Sequence, residues 1–237
     1  MKRLLLVLAL VLPAAAGAQP PTPFTQSRQG EALYNANCLR CHGDAGRGTS
    51  NGPSLRNAGR LAADFYLRTG YMPIAEPGEQ PDRRRPPFDE QQLDALVGYV
   101  ASLGNGPAVP TPRPEGGDVA LGLRLFTDHC AGCHQAVADG GYVTGARVPP
   151  LGRATPTQIA EAVRIGPYLM PRFSERDITP AQLDSIVRYV QLTQHPPDRG
   201  GWGIGNLGPF PEGMVTWLLA AVALIGTCML IGRRLGS

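Results

Sequence analysis

Two short cysteine motifs are the residues of this chain best suited to do chemistry. Each has the pattern Cys-x-x-Cys-His, at residues 38–42 and 130–134. Two thiols three positions apart on one turn can each bond a vinyl group of the same porphyrin, and the adjacent histidine then reaches the iron. The pattern predicts two covalently bound haem c groups. The predicted attachment and proximal ligand residues are Cys38, Cys41, His42, Cys130, Cys133 and His134.

A Cys-x-x-Cys pair has two other common uses, half of a zinc site and a thioredoxin-like redox dithiol. The histidine that directly follows each pair counts against zinc, because zinc fingers usually take their histidines from a separate helix. No alternation of strand and helix patterns surrounds either pair, which counts against a thioredoxin-like dithiol. Haem attachment is therefore the favoured prediction.

The second axial ligand of each iron is sought among five methionines. Met1 begins the chain, and Met214 and Met229 lie in a terminal apolar run, which leaves Met72 and Met170. Both precede a proline and both follow an Arg-x-Gly segment. We predict that both sulfurs bind iron. A methionine ligand raises the reduction potential and closes the site, so this pair favours electron transfer over the binding of small molecules.

The motifs lie in an internal repeat whose copies open at Gly30 and Gly122. Each copy contains an opening helix, the cysteine motif, a Pro-x-Leu segment, the methionine and a closing amphipathic helix. Capping signals precede the closing helices, one at Asp89 and one at Thr179. Strand signals are sparse, so the fold class is mainly α. Tyr99 and Tyr189 occupy matching places on the closing helices, where we expect them to pack on the opening helices near Tyr34 or Phe126.

Both ends of the chain carry membrane signals. Lys2 and Arg3 precede the apolar residues 4–12, which as a helix cover only about 14 Å, and small residues follow up to Ala18. This arrangement predicts a signal peptide that is cleaved after Ala18. Near the other end, residues 214–232 are uncharged and cover roughly 28 Å, close to the thickness of the hydrocarbon core.

Trp217 near one end of this terminal run and Arg233-Arg234 after the other predict that the carboxyl end is cytoplasmic and the haems extracytoplasmic. The predicted organisation is a signal peptide at 1–18, a linker at 19–29, a first domain at 30–104, a Pro-rich linker at 105–117, a second domain at 118–195, a linker at 196–211 and a transmembrane anchor at 212–234. The proline density of the linkers favours independent domains on stiff connectors.

The net charge is +3 and the sequence has no basic tract, which excludes a nucleic-acid partner. The charge gives no further indication of partners. Two histidines, His129 and His195, are expected at the surface rather than on iron. The loop 74–87 contains Arg83-Arg84-Arg85. Either this loop docks an acidic partner or it is a solvated insertion, and the second interpretation is favoured.

Each repeat resembles a class I cytochrome c domain, which implies that the carbonyl groups of Pro53 and Pro149 orient the proximal imidazoles. The order of signal, two haem domains and terminal anchor is similar to the dihaem cytochrome c subunit of actinobacterial-type cytochrome bcc complexes. That resemblance extends to residues 200–202, 208–209 and 212–217 before the anchor. It implies cytochrome b and Rieske iron–sulfur subunits as partners, with electrons passing to a terminal oxidase or a soluble acceptor.

Two other functions stay open at this point. The chain could be an anchored electron donor for another dehydrogenase or oxidase, or a dihaem peroxidase. A peroxidase needs one iron with an exchangeable or histidine-switched site, and two equivalent methionines count against it. We therefore predict an electron-carrying subunit of an oxidoreductase complex, and we assign no catalytic residue.

Overall fold

The computed structural model describes residues 23–194, 196 and 209–235. This part of the chain contains the helices α1 (Pro23–Asn37), α2 (Leu39–His42), α3 (Gly59–Arg68), α4 (Glu90–Ser102), α5 (Val119–His129), α6 (Ala131–His134), α7 (Pro156–Ile165), α8 (Pro180–Gln194) and α9 (Pro209–Leu235), and the antiparallel hairpin of β1 (Gly141–Val143) and β2 (Ala146–Val148). The predicted mainly α fold is confirmed. The predicted signal peptide, His195 and residues 200–202 and 208 lie outside the described residues.

Each repeat is built on a crossing of its opening and closing helices, α1 with α4 and α5 with α8. Gly30 faces the backbone carbonyl of Ala95 at the first crossing, and Gly122 faces that of Ser185 at the second. A Cβ atom at either glycine would overlap the facing carbonyl oxygen. The absence of a side chain is therefore what lets the two backbones approach so closely.

Aromatic residues fill the space beside each crossing, as the sequence predicts. The rings of Tyr34 and Tyr99 lie 5.1 Å apart between centroids, and those of Phe126 and Tyr189 lie 5.4 Å apart. Tyr34 and Phe126 are buried, and aliphatic side chains surround them. The first core also contains Leu93, Leu96, Val97 and Val100, and the second contains Ile159, Val163, Ile186, Val187 and Val190.

The predicted caps of the closing helices are confirmed. The side chain of Asp89 accepts from the backbone N–H of Gln92 while Gln92 caps Asp89 in return, and Thr179 and Gln182 repeat this arrangement. The opening helix differs from its prediction, because α1 begins at Pro23 rather than at Gly30. Residues 24–29 contain no helix breaker, and proline is favoured at a first helical position.

The two repeats form one compact unit, and the loop 74–87 of the first contacts the second. The side chain of Gln80 donates to the carbonyl of Arg147 at 2.6 Å and accepts from its backbone N–H at 3.1 Å. Asp82 forms an ion pair with the guanidinium of Arg147. Arg83 is half-buried and donates to Oε1 of Gln158 at 2.7 Å.

These contacts correct the favoured interpretation of the arginine loop as a solvated insertion. Arg83 is occupied within the chain, so it is not part of a free docking face either. Arg84 pairs with Glu79 at 3.3 Å, and Arg84 and Arg85 are exposed. Sequence patterns missed this role because its partners, Arg147 and Gln158, lie more than 60 residues away in the other repeat.

The Pro-rich linker follows the surfaces of both repeats and is not a free spacer. The carbonyl of Pro107 accepts from the backbone N–H of Leu61 at 3.0 Å, and Gly106 lies against Gly59. Further along, the backbone N–H of Arg113 donates to Asp184 at 2.7 Å and Pro114 is buried. Backbone groups of the linker are thus satisfied by the domains that it connects.

Helix α9 belongs to a second unit of its own. Residues Gly213–Arg234 form, within the described residues, the one helix long and apolar enough to cross a membrane. This segment has 22 residues and a mean hydropathy of 2.3. Its length as a helix, about 33 Å, suits a single bilayer crossing.

Candidate haem sites

Both Cys-x-x-Cys-His motifs have the same backbone geometry. Each follows its opening helix directly, because the N–H of Cys38 donates to Tyr34 and that of Cys130 donates to Phe126. The N–H of each histidine then donates back to the first cysteine of its own motif, at 2.9 Å in both. The motif is therefore one tight helical turn, and residues three positions apart on such a turn share a face. This places the two thiols of each motif where one porphyrin can reach both.

A tyrosine hydroxyl fixes the chain just beyond each motif. Tyr34 on α1 donates to the carbonyl of Gly43 at 2.7 Å. Tyr189 on α8 donates to the carbonyl of Ala136 at 2.7 Å. The same attachment is thus made from the opening helix in one repeat and from the closing helix in the other. The ring packing of these tyrosines follows from the sequence pattern, but their hydrogen bonds do not.

The first cavity brings the predicted residues of the first repeat together. His42 and Cys38 line one part of it, and Met72 lines it as well. Cys41 lies in the same turn but does not line the cavity. The other lining residues are mostly apolar, namely Pro53, Ser54, Leu55, Ala58, Ala62, Ala63, Tyr66, Leu67, Glu79, Pro81, Leu96, Val100 and Tyr168.

The second cavity does the same for the second repeat. Cys130, Cys133, His134 and Met170 all line it. Its apolar walls include Phe126, Leu151, Ile159, Val163, Phe173, Ile186 and Val190. In each repeat an imidazole and a thioether therefore face the same apolar space, which fits a haem whose iron takes one ligand from each.

Each cavity also takes part of its wall from the other repeat. Phe65 and Tyr71 of the first repeat line the second cavity, and Tyr168 of the second repeat lines the first. Pro81 and Tyr168 line both. The two cavities therefore adjoin. The sequence contains no signal for this sharing, because each wall residue lies in the other repeat from the motif that it faces.

The thiols argue against the two other uses of the cysteine pairs. Burial, with a smaller contribution from the second cysteine of each pair, raises the pKa of Cys38 and of Cys130 to about 11. A redox dithiol needs a lowered thiol pKa, which these sites do not have. Across residues 23–194, 196 and 209–235, no cluster of three or more His, Cys, Asp or Glu side chains could hold a metal ion such as zinc.

The proximal imidazoles differ in how they are held. Nδ1 of His42 donates to the carbonyl oxygen of Pro53 at 2.9 Å, which confirms the expected support in the first repeat. Nδ1 of His134 is buried beside the carbonyl of Pro149 but makes no hydrogen bond of standard geometry among the described residues, so its support is looser than that of His42. Burial lowers the pKa of His134, opposed by the Pro149 carbonyl, and favours the neutral imidazole that binds iron.

His129 is exposed, as predicted, although its ring lies at the rim of the second cavity. The ring meets the edge of Phe173 at 5.6 Å between centroids. Met170 already lines that cavity together with His134. Nothing in this arrangement gives His129 the place of an axial ligand.

Comparison with known proteins agrees with this geometry. Residues 27–104 match the family described as Cytochrome c, and residues 117–190 match the family described as Cytochrome C oxidase, cbb3-type, subunit III. The cytochrome bc1 complex cytochrome c subunit of Mycobacterium tuberculosis is 37% identical over 217 residues, covering 87% of this chain and 78% of the relative. That of Corynebacterium diphtheriae is 33% identical over 226 residues, covering 87% and 80%.

The chain belongs to the family of cytochrome bc1 complex cytochrome c subunits. It is a membrane-anchored respiratory cytochrome with two cytochrome c domains and two covalently bound haem c groups. A more distant similarity, 29% identity over 187 residues, relates it to the cbb3-type cytochrome c oxidase subunit CcoP of Azospirillum sp.. In this cytochrome, the first repeat is the first haem domain and the second repeat is the second haem domain.

Proposed function

We infer that two sets of four residues hold the haems of this cytochrome. In each domain two cysteines bond the porphyrin, and a histidine and a methionine bind its iron. The sets are Cys38, Cys41, His42 and Met72 in the first domain and Cys130, Cys133, His134 and Met170 in the second. The shared lining of each cavity by its histidine and its methionine supports this assignment.

We propose further that this cytochrome passes electrons from a Rieske iron–sulfur protein, beside a cytochrome b, to a terminal oxidase or a soluble acceptor. The names of the relatives, which are subunits of cytochrome bc1 complexes, support the first two partners. When bound, each haem supplies an iron that takes up and gives up one electron. The chain supplies the ligands, the apolar walls and the spacing between the two sites.

The adjoining cavities are the observation that carries the electron-transfer proposal. Pro81 and Tyr168 line both cavities, so the two sites adjoin. An electron accepted in one domain can then leave from the other. With Met72 and Met170 as ligands in this proposal, neither iron keeps an open coordination position, which disfavours a dihaem peroxidase.

The haem domains belong on the extracytoplasmic side in this proposal, with the carboxyl end of α9 in the cytoplasm. Arg233 and Arg234 follow the apolar segment and Trp217 lies near its other end, where it is 76% exposed. Positive charge on the cytoplasmic side and an aromatic residue at the interface favour this orientation. Cysteine accessibility to a membrane-impermeant reagent, at single positions placed on either side of α9, tests it.

The similarity of the second haem domain to a cbb3-type oxidase subunit favours a second candidate, an anchored donor within an oxidase. Purification from native membranes in mild detergent, followed by optical spectra, separates the two. Co-purified b-type haem together with a Rieske iron–sulfur signal is the expected result. A haem–copper oxidase without either of these would support the second candidate. An unrelated single-pass protein with the same tag controls for carry-over.

A further inference from the structure

Helix α3 of the first haem domain forms part of the wall of both haem cavities. Ala62 and Tyr66 on this helix line the first cavity, whereas Phe65 and the adjacent Thr69 line the second. Any charge that changes on α3, or on a helix packed against it, therefore lies close to both haem sites. Helix α7 of the second haem domain packs against α3 and also lines the second cavity.

Glu161 on α7 is a fully buried carboxyl group at this contact between the domains. Its exposed fraction is 0%, and neither carboxylate oxygen has a hydrogen-bond donor among the described residues. Its neighbours on α7, Ile159 and Ala162, line the second cavity. An ionised carboxylate without a donor is unfavourable in such surroundings. The group is therefore stable here as a neutral acid.

The charged groups that face Glu161 from α3 are Asp64 and Arg68. Arg68 is already engaged by three other carboxylates, because it donates to Asp64 at 2.9 Å, to Asp94 at 2.5 Å and to Glu90. Asp64 is thus paired with Arg68, and its side chain can accept a hydrogen bond from a protonated Glu161. Burial, then the charge of Asp64 and this hydrogen bond, raise the pKa of Glu161 to about 8, against a smaller opposing effect of Arg68.

In the part of the chain that the structure describes, the titratable groups that the other elements bring to α7 are engaged elsewhere. The buried side chains of α8 include one titratable group, Tyr189, whose hydroxyl donates to Ala136. Arg83 of the loop 74–87 reaches α7 but donates to Gln158. On α7 itself, Arg164 donates to the carbonyls of Phe173 and Ser174.

We propose that Glu161 and Asp64 hold one proton between the two haem domains and that Glu161 releases it when the cytochrome is oxidised. For each electron that leaves to the acceptor, a haem site gains one positive charge. That charge stabilises the Glu161 carboxylate, so the O–H bond breaks and the proton leaves. Reduction reverses both changes. The route to water runs past Arg68 to Glu90 and Asp94, whose side chains are 82% and 60% exposed.

The sign of the effect on the haems follows from this linkage. A carboxylate favours the oxidised, more positive state, whereas a neutral acid does not. The reduction potential is therefore highest at low pH, falls as pH rises through the pKa values of Glu161 in the oxidised and reduced states, and is constant above them.

Potentiometric titration of the full-length cytochrome in detergent, followed by the haem absorption bands from pH 6 to 9, tests the proposal. We expect the oxidation equilibrium constant of at least one haem to change about threefold to tenfold over this range, where tenfold corresponds to about 59 mV. Glu161→Gln keeps the shape and remains neutral, so its potentials stay near the low-pH values at every pH. Glu115→Gln removes an exposed carboxylate in the linker, outside this cluster, and should keep the wild-type pH dependence.

Two outcomes overturn the proposal: a wild-type potential independent of pH, or an unchanged slope in Glu161→Gln. Redox-difference infrared spectra of the wild type provide a second measurement that does not depend on the folding of a variant. Loss of a protonated carboxyl band on oxidation supports the proposal, and its absence contradicts it. The proposal rests on the presence of both haems. Haem content is therefore measured on the same sample, which distinguishes the loss of a haem from the absence of proton release by Glu161.

Discussion

The first haem domain has a short turn after its cysteine motif and a long loop after its methionine, whereas the second haem domain has the opposite. Eleven positions separate His42 from Pro53, but fifteen separate His134 from Pro149. Seventeen positions separate Met72 from Asp89, but nine separate Met170 from Thr179. The additional residues form the loop 74–87 in one domain and the β1–β2 hairpin in the other.

These two additions contact each other. Gln80 and Asp82 of the loop bind Arg147 of the hairpin, by hydrogen bonds to its backbone and an ion pair to its side chain. The domains therefore differ most where they meet and agree where each surrounds its own haem. The repeated segments thus form the haem sites. The loop 74–87 and the β1–β2 hairpin, which are not repeated, join the two domains.

The two haem sites are predicted to have the same iron ligands, and replacing a methionine ligand should have the largest effect, a change in reduction potential. Met72→Ala should lower the reduction potential of one haem by on the order of 100 mV, and Met170→Ala that of the other, because each removes a ligand that favours the reduced iron. Potentiometric titration with both haems resolved measures the shifts. Met229→Leu in α9 is the matched control. If a variant left both potentials unchanged, the methionine that it replaces would not be an iron ligand, and the two haem sites would not be equivalent.

The helix crossings should respond equally in the two domains. Gly30→Ala and Gly122→Ala each force a Cβ into a facing carbonyl, and we expect each to reduce the free energy of unfolding by about 1–3 kcal/mol. Denaturant unfolding followed by circular dichroism measures the loss. Gly98→Ala is the control, since it lies within α4 with open space around it and should gain up to about 1 kcal/mol. If either variant had the wild-type free energy of unfolding, the two crossing helices of that domain could move apart to accommodate the Cβ atom with little loss of stability.

The tyrosine attachments should have a smaller effect. Tyr34→Phe and Tyr189→Phe each remove one hydrogen bond to the chain beyond a cysteine motif, and we expect a loss of about 1 kcal/mol from each. Tyr99→Phe is the control, because its hydroxyl makes no hydrogen bond to a described residue. The same unfolding measurement applies. A large effect in one domain and none in the other would show that the two attachments, made from opposite helices, are not equivalent.

Local patterns predicted much of this cytochrome. The Cys-x-x-Cys-His motifs, the capping residues of α4 and α8 and the aromatic pairs at both crossings all follow from residues close in sequence or repeated in both copies. The contact between the domains does not. Arg147, Gln158 and Glu161 gain their roles from side chains of the other domain, and no periodicity records such a pairing.

The sequence indicates the role of Glu161 only weakly. It is the single acid of α7, among apolar residues, and no role was predicted for it. An acid in such a place can equally face water, and only the packing of α3 on α7 shows that it does not. The looser support of His134 was also beyond prediction, because both copies have a proline at the matching position.

The sharing of wall residues between the cavities makes each haem site depend on both halves of the chain. A gene cut within the linker would encode two halves, each with its cysteine motif intact but with one side of its haem site open to water. Recombination that replaced one half with a foreign cytochrome would lose Pro81 or Tyr168 from both sites at once. A change in either copy can therefore alter both haem sites.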